Sequence, residues 1–192
     1  TVKSLLTGLL LNSGNDAAYA LAYYNITNNE PGIEYNDAIN KFVIKMNIYS
    51  TKYNLQSTKY LDPAGLDDNA YSTARDQGLL LSYLLNLDIA KQIINIGRLD
   101  IFSVDGRIKH ILENSNRLVK DEMHYNGIIG GKTGFTPTSG HNLITAASRN
   151  AHTLIAIIFS TTDTSKSASA IEATKLLDWG FNNIVWQSYA EL

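Results

Sequence analysis

Residues 127–142, Gly-Ile-Ile-Gly-Gly-Lys-Thr-Gly-Phe-Thr-Pro-Thr-Ser-Gly-His-Asn, constrain this chain more than any other stretch. Two isoleucines lead into paired glycines, and one lysine stands beside a hydroxyl and a third glycine. Strong strand candidates follow at residues 142–148 and 153–160. The stretch therefore reads as the end of one strand, an open turn and the start of the next. Its centre, Lys132-Thr133-Gly134, offers a cation, a hydroxyl and a position with no side chain. On an edge strand that trio suits a carboxylate or a phosphate, because a ligand can lie against backbone that Gly134 leaves uncovered.

A nucleotide-binding loop fails on count and on context. The pattern Gly-x-x-x-x-Gly-Lys-Thr needs a glycine at position 126, where the chain has Asn126. The lysine of such a loop also opens a helix whose N-terminus faces the phosphates. Here Gly134, Pro137 and Gly140 follow, and then a strand. The bulk numbers narrow the choice further. With 192 residues the chain can bury a sizeable core in one domain. Its 44% hydrophobic and 18% charged residues exclude disorder. A net charge of −2 without a basic block argues against nucleic acid or an anionic membrane surface as partner. The absence of cysteine excludes disulfides, thiolate metal sites and cysteine nucleophiles. No apolar run approaches the ~20 residues of a membrane span. The first residues lack a signal-peptide layout and pass at once into an amphipathic helix, so the sequence is expected to begin inside a domain.

In chain order, helical spacing predicts helices at 2–11 and 17–24, with Asn15 or Asp16 capping the second. Ser13 and Asn15 then sit in a short turn between two buried helices. A long helix is expected at 34–53, with Ala38, Phe42, Val43, Met46 and Tyr49 on its apolar face. Residues 54–70 carry the turn signal Asp62-Pro63-Ala64-Gly65 and read as an ordered loop. Thr73 with Asp76 fits a capping box for a helix reaching residue 85, and a shorter helix follows at 88–96. Asp105-Gly106 marks a hairpin between 99–104 and 107–112. Residues 114–117 read as a polar turn. The run 153–160 is continuously apolar, as for a buried central strand antiparallel to 142–148. A last helix spans 168–183, with Ile171, Thr174, Leu177 and Phe181 as its stripe. The expected organisation is a mainly helical part at 1–96, an α/β part with antiparallel strands at 97–184, and an exit segment at 185–192.

Ser13-Gly14-Asn15 places a hydroxyl and an amide two residues apart on a rigid turn, which can move a proton and orient a peptide. Alone it reads better as a helix-capping turn, and Lys132-Thr133-Gly134 alone reads as a solvated edge lysine. Together they resemble the second and third motifs of the penicillin-recognising serine enzymes: Ser-x-x-Lys, Ser-x-Asn and Lys-Thr-Gly. More narrowly, the chain resembles the D-alanyl-D-alanine carboxypeptidases, the low-molecular-mass penicillin-binding proteins. Residues 5–18 are similar to that family's helix–turn–helix around Ser-x-Asn. Residues 42–47 resemble its Phe-Val-x-x-Met-Asn segment. Gly65-Leu66-Asp67 with Ser72-Thr73-Ala74-Arg75-Asp76, Asn114 to Leu118, residues 131–143 and residues 176–181 match as well.

The resemblance implies one domain of α/β class (α+β type) with a β-lactamase/transpeptidase-like fold: a helical lobe, and an antiparallel sheet flanked by helices. It implies a serine peptidase that trims the terminal D-alanine from peptidoglycan stem peptides through an acyl-enzyme and is inhibited by β-lactams. Ser13 would relay a proton to the leaving amine. Asn15 would bond the acyl-side amide, and Lys132 would supply positive potential. Thr133 would bind the terminal carboxylate, beside Gly134, and the Phe135 N–H would form half of the oxyanion hole. No cofactor is implied. The partner is a stem peptide ending in D-Ala-D-Ala, outside the cytoplasm in the bacterial envelope, with room for a membrane anchor outside this chain.

Two departures qualify the likeness. No lysine has a serine three residues before it, so Ser-x-x-Lys is missing, and the nucleophile and some sheet strands are expected upstream of Thr1. In place of an arginine seen in relatives after the last strand, residues 163–168 offer Lys166, a point charge without a bidentate grip. A non-catalytic peptidoglycan-binding protein on the same fold is the alternative. A class A β-lactamase would want a Glu-x-x-Leu-Asn loop, and residues 54–70 contain no glutamate.

Overall fold

Helices α1 (Val2–Asn12) and α2 (Asn15–Thr27) are separated by two residues that reverse the chain. Ser13 ends α1 with φ 58°, in the left-handed region, and the Gly14 N–H returns to Gly8 O at 3.0 Å. The bond spans six positions, one more than the Schellman closure, and Ser13 holds the left-handed position where glycine is usual. Neither Asn15 nor Asp16 caps α2 as expected. Gly14 holds the cap position, and the Asp16 carboxylate accepts from the N–H of Ala17 at 2.8 Å. The computed structural model describes residues 1–120 and 122–187.

Helix α3 (Tyr35–Lys52) packs against α2. Ala38 is buried on the predicted face, and Phe42, Val43 and Met46 are half-buried. Tyr49 is not. It is exposed and stacks on Tyr53, while Ser50 fills the buried end and donates to Leu55 O at 3.1 Å. Residues 54–73 form an ordered loop held by two carboxylates. Thr73 caps α4 (Ala74–Leu84) by accepting from the Asp76 N–H at 3.2 Å. Only half of the expected capping box forms, because the buried Asp76 carboxylate turns away to take the Ser57 N–H and the Thr58 hydroxyl, each at 2.7 Å. Desolvation pushes that carboxyl up, but the bonds from Thr58 and Ser57 and the Arg75 guanidinium outweigh it and hold it below 3.8. Asp62 gathers the N–H groups of Ala64, Gly65, Leu66 and Asp67 at 2.6–2.8 Å and fixes the loop tip.

After α5 (Asp88–Ile94), strands β1 (Arg98–Phe102) and β2 (Lys109–Glu113) pair antiparallel as a separate ribbon. The expected two-residue turn at Asp105-Gly106 is wider, spanning 103–108. Ser103 explains this: its N–H donates to Ile108 O at 2.8 Å and its hydroxyl accepts from the Ile108 N–H at 2.9 Å, ending the strands early. Leu99, Ile101 and Leu112 pack the ribbon onto Leu11 of α1 and Ile93 of α5.

The larger sheet has the order β3-β4-β5, all antiparallel: β3 (Ile128–Thr136), β4 (Gly140–Arg149) and β5 (His152–Ile158). The tight link between β4 and β5 puts Asn150 and Ala151 at φ 51° and 64°. Among the described residues β4 lies between β3 and β5, and β5 pairs with β4. The apolar run of β5 matches burial of both its faces. Ala156 packs with Ala170, Ala173 and Leu177 of α6 (Ala168–Asn183). Ile157, on the opposite face by strand alternation, reaches Gly78 of α4, where an added Cβ would stand 3.1 Å from its Cδ1. The buried stripe of α6 is also rotated from the predicted one. Ala170, Ala173, Leu177 and Gly180 face the sheet and Ile171 is exposed, because small residues let the helix approach closely. Of the expected exit segment, residues 188–192 lie outside the described residues, and Trp186 stacks on His152 with centroids 4.1 Å apart.

Candidate active site

Strand β3 forms one wall of a cleft of about 830 Å³, and the α1–α2 turn and residues 63–66 form others. The glycines before Lys132 are required by packing. A Cβ at Gly130 would stand 2.5 Å from Ile94 O, and one at Gly131 would stand 2.0 Å from Ile144 O. They let β3 press against α5 and β4, which fixes the base from which Lys132 projects. Among the described residues β3 is an edge strand, and Lys132 lies within it rather than opening a helix.

Lys132 Nζ donates to Ser13 Oγ at 2.6 Å and to Thr133 O at 2.8 Å. The side chain is half-buried, and loss of hydration pulls its pKa from 10.5 down to about 8. A good fraction is therefore neutral slightly above neutrality, and the group can both hold and release a proton. Asn15 opens α2 with its side chain exposed at the cleft and no hydrogen-bond partner among the described residues. Its amide is free for a ligand. Thr133 Oγ1 donates to Ser115 Oγ at 2.6 Å. Gly134 and Phe135 carry the wall outward, and the Phe135 ring stacks on His141 at 4.4 Å. All six residues singled out from the sequence, Ser13, Asn15, Lys132, Thr133, Gly134 and Phe135, line this one cleft, and Lys166 lines it as well.

The charge of the lining has one sign. Arg117, Lys120, Lys132 and Lys166 contribute to it, and among the described residues no aspartate or glutamate does. In a chain of net charge −2 this concentrates positive potential where an anionic ligand would enter. Among the described residues, no group of three His, Asp or Glu is arranged to hold a metal ion.

Sequence reasoning missed Ser115, Arg117 and Lys120. The segment 114–117, expected to be a polar turn, is largely internal. Asn114 and Asn116 are 1% and 0% exposed. Asn114 Nδ2 donates to Ile94 O and Ile96 O at 3.0 and 2.8 Å, and its carbonyl oxygen accepts from the Asn116 N–H at 2.9 Å. Two asparagines flanking a serine were the available signal, since a buried amide can replace the backbone partners of an irregular segment.

Residues 1–163 match the D-alanyl-D-alanine carboxypeptidase family, peptidase S11. The chain belongs to this family. It is 32% identical over 183 residues to the D-alanyl-D-alanine carboxypeptidase DacF of Bacillus subtilis, covering 95% of this chain and 43% of that protein. It is 33% identical over 182 residues to DacA of Escherichia coli K12, covering 94% and 40%. The solved structure of the Streptomyces K15 DD-transpeptidase superposes with a TM-score of 0.83 at 31% identity, covering 95% of this chain and 68% of that one. The chain thus spans about two-fifths of the length of the first two relatives. The helices followed by an antiparallel sheet covered by helices agree with the transpeptidase-like fold expected from the sequence. As a carboxypeptidase-family chain it carries Ser-x-Asn and Lys-Thr-Gly on facing walls of one cleft, and no Ser-x-x-Lys in its 192 residues.

Proposed function

We propose that this chain supplies the proton-relay and substrate-holding walls of a serine-type D-Ala-D-Ala carboxypeptidase acting on peptidoglycan stem peptides in the bacterial envelope. The observation that carries the reading is the Lys132–Ser13 contact of 2.6 Å inside a cleft that also holds Asn15 and Thr133. Ser13 passes a proton toward the leaving D-alanine amine, with Lys132 as its charged neighbour. Asn15 bonds the amide on the acyl side. Thr133 and Lys166 hold the terminal carboxylate, which a basic cleft attracts, and β-lactams present a carboxylate to the same place. The Phe135 N–H contributes half of the oxyanion hole. The segments 1–96 and 97–184 act as the two halves of one domain that meet at this cleft. Acylation needs a nucleophilic serine, which we assign to residues outside the 192, and deacylation is attack of water on the acyl-serine, which releases that serine.

The test has two parts. Titrating the chain with N-acetyl-D-alanyl-D-alanine should shift the NMR resonances of Ser13, Asn15 and Thr133, and Lys132→Ala should remove the response. A fluorescent penicillin should not label the chain covalently, and labelling would refute the assignment of the nucleophile. Expressed behind the coding sequence that precedes Thr1, it should be labelled and should release D-alanine. The missing Ser-x-x-Lys favours one second reading, a peptidoglycan-binding protein without catalysis. Ligand binding by an extended protein that still has no Ser-x-x-Lys and is never acylated would establish that reading instead.

A further inference from the structure

We propose that Ser115 is a positioning residue of the carboxylate subsite, holding Thr133 so that its hydroxyl meets a ligand's terminal carboxylate. This rests on the reading of Thr133 as the carboxylate binder and extends it to a residue from another element.

Ser115 is fixed from several sides. Its own N–H donates to Leu11 O at 3.0 Å, tying it to the last turn of α1. Asn114 clamps the end of α5 through Ile94 O and Ile96 O. Asn116 Nδ2 donates to Thr145 Oγ1 at 3.2 Å, and Thr145 Oγ1 donates to Gly130 O at 2.9 Å, which ties the segment to β4 and β3. Between these two buried amides, Ser115 remains half-buried and lines the cleft. An anchored backbone on both sides of a side chain that faces open space is costly to build for a turn alone.

The hydroxyl pair has a defined chemistry. Thr133 has one hydroxyl proton, and it goes to Ser115 Oγ at 2.6 Å. A carboxylate is a stronger acceptor than a hydroxyl. When one arrives, the Thr133 proton turns to it, and the Ser115 hydroxyl rotates to donate to Thr133 Oγ1. No covalent bond changes and both oxygens stay satisfied. A chain of two hydroxyls ending on an anion is stronger than one hydroxyl alone, because each bond polarises the next. Without the Ser115 oxygen, Thr133 loses the contact that selects its rotamer and can turn toward nearby backbone instead.

The experiment compares N-acetyl-D-alanyl-D-alanine with its C-terminal carboxamide by NMR titration of the wild-type chain, Ser115→Ala, Ser115→Thr and Thr133→Val. Ser115→Ala should bind the acid about five- to tenfold more weakly and the carboxamide as well as wild type does, since only the charged ligand draws on the hydroxyl chain. Ser115→Thr should retain acid binding. The double variant Ser115→Ala with Thr133→Val should lose no more than Thr133→Val alone, because Ser115 acts through Thr133. Unchanged acid binding in Ser115→Ala, equal loss of both ligands, or loss in Ser115→Thr would overturn the inference and leave the Thr133 reading standing. A Thr133→Val chain that still distinguishes acid from carboxamide as wild type does would overturn that reading itself, and a wild-type chain that binds neither ligand would overturn both.

Discussion

Lys132 Nζ donates to Ser13 Oγ at 2.6 Å although 119 positions separate the two residues in the chain. The contact joins an edge strand to a strained helix ending. Each side is built for it: glycines beneath Lys132 set the strand against its neighbours, and the left-handed turn at Ser13 lifts a hydroxyl out of α1.

Partial burial of Lys132 makes both stability and ligand binding depend on pH. Its pKa falls from 10.5 to about 8 through loss of hydration. Between those values the unfolded chain holds a proton that the folded chain has released, so stability rises with pH across that window. Below about 8 the full cost of keeping the charged amine desolvated is present, at most about 3 kcal/mol. Lys132→Met should therefore be more stable than wild type near neutral pH, with the gap closing toward the top of that window. Affinity for N-acetyl-D-alanyl-D-alanine should run the other way and fall as pH rises through about 8, as the amine loses its charge. Calorimetric melts and ligand titrations over the same pH series check both. A flat stability difference between the two proteins would contradict the assignment.

Much of this site could be read from the residues, and the reasons for success and failure differ by element. Lys132-Thr133-Gly134 and Ser13-Gly14-Asn15 were legible because their chemistry is carried by side chains in short, punctuated stretches. Helix α6 was legible in extent but not in orientation: its buried face is made of Ala170, Ala173 and Gly180, which carry little hydropathy signal and are selected by closeness to the sheet. The apolar run of β5 was legible because both its faces are covered, one by α6 and the other by α4. Ser115 was not legible. Its segment looked solvated because it is polar, yet inside the protein the Asn114 side chain bonds the end of α5 and takes the Asn116 N–H, and the Asn116 side chain bonds Thr145 of β4.

The conformation of Ser13 predicts a trade between stability and binding. A non-glycine residue at φ 58° carries strain of about 1 kcal/mol. Ser13→Gly should release it, offset in part by the freer unfolded chain, and raise stability by about 0.5 kcal/mol. Ser13→Ala keeps the strain and should gain nothing. Both variants lose the hydroxyl, so both should lose the proton relay and the Lys132 contact. Urea melts separate them: Ser13→Gly should have the higher midpoint with an unchanged slope. A Ser13→Gly variant less stable than Ser13→Ala would mean that the left-handed turn is not strained.

Two glycines of the same strand should respond in opposite ways. Gly131 has no room, because an added Cβ would stand 2.0 Å from Ile144 O and 2.7 Å from Thr145 Cα, both backbone atoms of β4. Gly131→Ala must separate β3 from β4 and should cost about 3 kcal/mol or more. At Gly134 the nearest atom to an added Cβ is Asn142 Cβ at 3.9 Å, an ordinary contact. Gly134→Ala should therefore melt within about 0.5 kcal/mol of wild type. It should nevertheless weaken N-acetyl-D-alanyl-D-alanine binding, because the methyl group occupies the exposed cleft wall against which the ligand backbone lies. Thermal melts and ligand titrations on the two variants decide the matter: normal ligand affinity in Gly134→Ala would show that the ligand does not run along β3 at that position.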